Sequence, residues 1–193
     1  MIHEMFLIDT ETTGLRGYPI DHVVDVGICK IDLRDGSVEP VYESVVGHNV
    51  ALWDEEHQNA WIFEHSDLTL KDVASAKSAD DVAVDMYEIL RSEYLTSYNV
   101  GFDIQKFLRY APFRVGEYVS RILPDPMLIA TDICCIPGAC SSYKWPKLEE
   151  AYSILCPDDP ANIKGCQDHR ALSDARVASY VLIELHKRGL YEV

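Results

Sequence analysis

Hydrophobic periodicity changes along this chain, and the order of the change limits the folds open to it. MFLIDTE (5–11), VVDVGICKID (23–32) and the segment RDGSVEPVYESVV (34–46) carry strand-like runs joined by short connections, one with a turn at Asp35-Gly36. Strands joined this closely predict an antiparallel meander. Apolar positions then fall at helical spacing: Val82, Met86, Ile89 and Leu90 form a stripe, opened by an N-cap signal at Ser78 with Asp81 three residues on. YLTSYN (94–99) predicts a fourth strand, FDIQKFLRYA (102–111) a helix and MLIATDICCI (127–136) a fifth strand. Pro146 opens a helix over KLEEAYSIL, and a closing helix runs from about Arg170 to Arg188, stopped at Gly189. Between Val50 and Lys77 no period is clear. A meander followed by strands alternating with helices predicts an α/β architecture, a mixed five-stranded sheet flanked by helices.

At 193 residues the chain suits one domain, residues 1–193, with a core that needs no cross-links. No repeat, low-complexity tract or linker interrupts it. No apolar run is long enough to span a bilayer, and MIHEMFLIDT carries no basic leader, so a cytoplasmic location is expected. Six cysteines (Cys29, Cys134, Cys135, Cys140, Cys156 and Cys166) are then expected as reduced thiols. Zinc held by Cys134, Cys135, Cys140 and Cys156 is disfavoured, because adjacent cysteines depart from the usual C-x₂-C pair. The 32 Asp and Glu outweigh 17 Lys and Arg, for a formal net charge of −15. That excess argues against a protein that coats duplex DNA through its phosphates. It leaves open a pocket that grips one strand end through bound cations.

The carboxylates themselves are unevenly placed. Asp9 and Glu11 follow a buried-looking strand and, by alternation, project to the same side while Thr10 and Thr12 face away. Both can be solvated at a fraying strand end, or both can face a cation. Asp174 falls on the apolar stripe Ala171, Ala175, Ala178, Leu182 and Leu185 of the last helix, where a carboxylate is rarely left unpaired. His169, five residues earlier, is rotated about 140° from Asp174 in a continuous helix, so a shared site requires His169 to precede the helix or sit in its first turn. Asp103 stands at the start of its helix on the face of Phe107 and Tyr110, where a carboxylate also suits the helix dipole. Four acidic residues aimed at apolar structure suit Mg²⁺ or Mn²⁺, and two such ions can clamp the oxygens of a phosphodiester.

Three stretches carry a resemblance. FLIDTETTGL, SYNVGFDIQKFL and HRALSDA are similar, in order, to the three motifs of the DEDDh, or DnaQ-like, 3′–5′ exonucleases, which have a ribonuclease H-like fold. The matching residues are Asp9, Glu11, Thr12, Thr13, Gly14 and Leu15 in the first motif, Asn99, Phe102 and Asp103 in the second, and His169, Ala171, Asp174 and Ala175 in the third. Asp25 stands where a glutamate is more usual, and Gly101 where alanine or proline is frequent.

The resemblance implies that Asp9, Glu11 and Asp174 hold a metal ion, that Asp9 bridges to a second with Asp103 in support, and that His169 is the general base. It implies that Leu15 wedges against the terminal base and that Glu11 and Thr12 meet the terminal 3′-hydroxyl through their backbone. Thr13, Gly14, Asn99 and Phe102 join them as substrate-binding residues. The expected substrate is a single-stranded or frayed 3′ end of DNA (or RNA), shortened by release of nucleoside 5′-monophosphates. An RNA-trimming or short-oligoribonucleotide nuclease is the alternative, and a non-catalytic end-binding module a further one. A protein partner or homodimer stays open. Tyr143 and Trp145 can stack a base, but anchoring of the following helix to the core is the favoured reading. Arg16, Lys106, Arg109, Lys144 and Lys147 can meet phosphates or simply be solvated.

Overall fold

The computed structural model describes residues 2–139, 142–162 and 168–193. Strand β1 (Glu4–Thr12) lies at the centre of a five-stranded sheet of order β3-β2-β1-β4-β5. β2 (Val23–Asp32) and β3 (Ser37–Val45) complete the predicted meander, antiparallel throughout. β4 (Tyr94–Thr96) pairs parallel with β1, and β5 (Arg121–Ile122) parallel with β4.

The segment without a clear period holds three short helices, α1 (Glu55–Gln58), α2 (Trp61–His65) and α3 (Leu70–Ser75). Ser78 caps α4 (Ala79–Leu90) by accepting from the Asp81 N–H, as its sequence predicts. A short α5 (Val100–Phe102) leads into a π-helical stretch over Asp103–Leu108. α6 (Pro126–Cys134), α7 (Leu148–Leu155) and α8 (Ala171–Lys187) follow.

One expectation is overturned. MLIATDICCI is helix α6, and the fifth strand is the two-residue β5 before it. Asp125 accepts from the Met127 N–H and Pro126 occupies the first turn, a start signal that outweighs the β-branched residues that follow.

Alternation along β1 assigns its side chains to two cores. Met5 and Leu7 join Cys29 and Ile31 against α6, α7 and α8, whereas Phe6 and Ile8 join Val26 and Ile28 against α4 and the π-helical stretch. The sheet is thus covered on both faces, and β1 and β4, being parallel, end on the same side. Among the described residues no helix is long and apolar enough to cross a membrane.

Candidate active site

The parity of β1 carries through to its end. Asp9 and Glu11 continue the Met5–Leu7 side, where α8 packs, and Asp174 meets them there from the first turn of that helix. Oxygens of Asp9, Glu11 and Asp174 lie within 4.8 Å of one another. Among the described residues this is the one set of three metal-ligating side chains so placed. Cys134, Cys135 and Cys156 form no such set; they are free thiols, and Cys140 lies outside the described residues.

Asp103 arrives from the opposite face of the sheet. It is buried, and its Oδ1 accepts from the Thr10 hydroxyl at 2.7 Å. Thr10 faces away from Asp9, and for that reason it reaches the helix that carries Asp103. The π-helical turn begins at Asp103 itself, and such turns cluster at functional sites.

The four carboxylates share one field. Burial raises Asp9 well above the usual carboxylate range, and repulsion from Asp103, Asp174 and Glu11 raises it further. Glu11 is pushed up to about 9, first by burial and then by Asp174 and Asp25, with Arg170 opposing. Burial also lifts Asp103 to about 7, against the hydrogen bond from Thr10. Groups so placed are either protonated or balanced by cations. Their oxygen donors are of the hard type that Mg²⁺ and Mn²⁺ take, so the donor set fits the metals that the sequence implies.

Past Glu11 the pairing with β2 shifts register, and the chain leaves the sheet in a tight loop. Thr12 Oγ1 donates to the Gly14 carbonyl at 2.8 Å, and Thr13 is buried in a two-bond exchange with His22. The buried Asp21 carboxylate holds the loop from beneath, accepting from the Arg16 and Gly17 N–H groups and from the Arg16 guanidinium. A side chain at Gly14 would lie 2.6 Å from Asp21 Oδ1, so glycine lets the carboxylate close under the loop. Leu15, 75% exposed, projects from the top. Asn99 uses its side-chain oxygen to cap α5, accepting from the Phe102 N–H at 3.0 Å. Phe102 is half-buried, edge-on to Phe107.

His169 precedes α8, as the shared-site requirement demands, with Arg170 as the N-cap. Its backbone is left-handed, φ +51°, and its ring packs edge-on against Trp61 of α2 at 4.9 Å. It is outside the carboxylate set. Trp61 in turn stacks on His65 at 4.2 Å. Arg170 donates to the fully buried Asp25 at 2.8 Å and to Asp67 at 3.1 Å, linking α8, β2 and the loop before α3. Trp61, Arg170 and Thr10 are not among the residues that the sequence marks as functional. A buried strand carboxylate at Asp25 is a signal for a cation such as Arg170; Trp61 sits in a segment with no period to mark it. Trp145 and Tyr143 are 64% and 51% exposed, so neither anchors α7 to the core. Lys144 is engaged by Glu150 at 2.6 Å.

Comparison with known proteins decides the family. The exonuclease family model of the RNase T type matches residues 6–182. The chain belongs to that exonuclease family. The exonuclease has the DEDDh, ribonuclease H-like fold. It superposes on the nuclease domain of 3′hExo, a DEDDh member bound to rAMP, with a TM-score of 0.62 and 13% identity over 99% of this chain and 95% of that one. It superposes on Escherichia coli exonuclease I in complex with a dA16 oligonucleotide with a TM-score of 0.67 and 13% identity, over 98% of this chain and 42% of that one. In sequence it is 22% identical over 179 residues to the 3′-5′ exonuclease DinG of Bacillus subtilis (strain 168). The match takes in 93% of the exonuclease but only 17% of that relative's length.

Proposed function

We propose that residues 1–193 act as one exonuclease domain that hydrolyses the terminal phosphodiester at the 3′ end of single-stranded or frayed DNA or RNA, releasing nucleoside 5′-monophosphates. The observation that carries this reading is the convergence of Asp9, Glu11 and Asp174 within 4.8 Å, from two elements, toward the C-terminal end of the central strand. Asp9, Glu11 and Asp174 would hold Mg²⁺ or Mn²⁺, with Asp9 shared between two ions and Asp103 supporting it from behind. Bound there, the ions supply Lewis-acid stabilisation of the attacking and leaving oxygens.

The chain's own groups do the rest. Leu15 and Phe102 border the terminal nucleotide, and the Thr12–Gly14 loop, fixed by Asp21, presents backbone to its sugar. His169 removes the proton from the attacking water as oxygen bonds to phosphorus and the bond to the 3′-oxygen breaks. The fold admits either sugar, since one neighbour holds rAMP and another dA16. With a net charge of −15, affinity should be weak and cutting distributive, and a processive role would require a partner protein or a second copy.

Purified protein incubated with 5′-labelled single strands of matched DNA and RNA, with Mg²⁺ or Mn²⁺, should give a ladder of shortened products that EDTA abolishes. No ladder with either sugar and either metal rejects the reading, and the rates on the two sugars assign the substrate.

A further inference from the structure

One solvent-facing cluster adjoins the site and has no part in the account so far. Tyr18 and Tyr110 stack with ring centroids 5.0 Å apart and planes 14° from parallel, yet they are 48% and 42% exposed. The stack joins two segments that also build the site, for Tyr18 lies just beyond Leu15 and Tyr110 two residues beyond the π-helical stretch that Asp103 begins. Lys106 ties them together. Its carbonyl accepts from the Tyr18 N–H at 3.0 Å. Its ammonium donates to the Leu15 carbonyl at 2.9 Å and stands 5.7 Å over the Phe102 ring. Lys106 thus links Phe102 to the Tyr18–Tyr110 stack in one stripe.

The charge of this stripe is unlike that of the molecule. Lys106 bonds to a carbonyl, and the exposed Arg109 to the amide oxygen of Gln105 at 3.2 Å, so neither bond neutralises a cation. Ile20, 50% exposed, adds apolar surface to the loop that carries Tyr18. Stacked aromatic rings beside the Lys106 cation match the chemistry of an unpaired strand, which offers base faces on one side and phosphates on the other.

We propose that the Tyr18–Tyr110 stack is a subsite for the bases that precede the 3′-terminal nucleotide of a single strand, with Lys106 and Arg109 toward its phosphates. The proposal rests on the exonuclease reading and adds to it a stretch of bound strand upstream of the scissile bond. The rings already order each other, so a base that extends the stack gains contact at little further conformational cost. Stacking tolerates any base, and it is closed to a blunt duplex whose base faces are already covered.

The test compares wild type with a Tyr18→Leu/Tyr110→Leu double variant and a Tyr18→Phe/Tyr110→Phe control. Substrates are the p-nitrophenyl ester of thymidine 5′-monophosphate, which offers only a terminal nucleotide, and fluorescent oligothymidylates and oligouridylates of two to ten nucleotides. In wild type KM should fall with length. The leucine pair should raise KM on long strands by about 5- to 100-fold, the loss of one or two stacked bases. It should leave ester hydrolysis and kcat unchanged, and the phenylalanine pair should behave as wild type. An unchanged KM on long strands overturns the proposal, as does an equal loss on ester and strand, which marks a scaffolding role. Fluorescence anisotropy of the same strands keeps the two readings apart. If wild type cleaves nothing, the exonuclease reading fails, and an affinity unaltered by the leucine pair rejects the subsite as well. Sedimentation as a dimer that the leucine pair dissociates also overturns it, assigning the stack to self-association.

Discussion

His169 enters α8 from a left-handed backbone position, a conformation that costs a non-glycine residue about 1–3 kcal/mol unless its surroundings enforce it. Arg170 on one side and Trp61 against its ring supply that enforcement. A general base held off the metal ligands can take a proton without competing for the ion. His169→Ala should therefore lower kcat by roughly 10²–10⁴-fold while leaving the metal-induced rise in melting temperature intact. A kcat close to wild type, or loss of the metal response, contradicts the assignment. Trp61 is half-exposed, so its removal should disturb the fold little and the base more. Trp61→Ala should cost about 10- to 100-fold in kcat through lost orientation, and Trp61→Phe should recover most of it, as single-turnover rates will show.

At the scale of elements, the geometry of the site depends on how α8 meets β2. A Cβ on Gly27 would lie 2.1 Å from the Leu172 nitrogen and 2.3 Å from the Ala171 carbonyl carbon. Those neighbours are backbone, which cannot turn aside, so Gly27→Ala must displace the helix start that carries Asp174. Overpacking of this kind costs about 1–3 kcal/mol, and the rigid neighbours place it at the upper end. Urea unfolding should show that loss together with a fall in kcat, and a wild-type midpoint would show that α8 docks otherwise. Such contacts explain what could and could not be read beforehand. Asp9, Glu11 and Asp174 were legible because a strand's two-residue period and a helical stripe each assign a side. Asp103 was legible as a candidate, but its approach from the far face through Thr10 was not, since that depends on how the π-helical stretch packs. In α6 the apolar run is short enough to suit strand or helix, and β5 is too short to show any period. Trp61 meets His169 across more than a hundred residues, a contact that local pattern does not encode.

The molecule as a whole carries two opposed responses to pH. Glu11, raised to about 9 by burial and by Asp174, and Asp103, raised to about 7 chiefly by burial, bind protons more tightly folded than unfolded. Their stabilisation is complete below the ordinary carboxylate range and is lost as pH rises through those values. The histidines act the other way. His22 lies flat on Trp53 at 5.0 Å, beside His48 and His57, and burial followed by repulsion from those two lowers it to about 4. Its contribution is present above about 6.5 and disappears as pH falls toward 4. Between pH 6.5 and 9 the histidine contribution is therefore constant, and the carboxylates set the slope. Metal-stripped protein should lose on the order of 5 °C in melting temperature across that window. Saturating Mg²⁺ or Mn²⁺ should bind only the folded carboxylate set and replace the protons, so it should raise the melting temperature most at pH 9 and flatten the profile. Asp9→Asn removes one charge from the cluster, so its metal-free profile should be shallower and its response to metal weaker. Differential scanning calorimetry at pH 6.5, 7.5 and 9, with EDTA and with each ion, measures all of these. A metal-free melting temperature that holds level or climbs toward pH 9 would mean that Asp9, Glu11 and Asp174 do not repel one another in the folded chain, and the metal-site reading would fall with it.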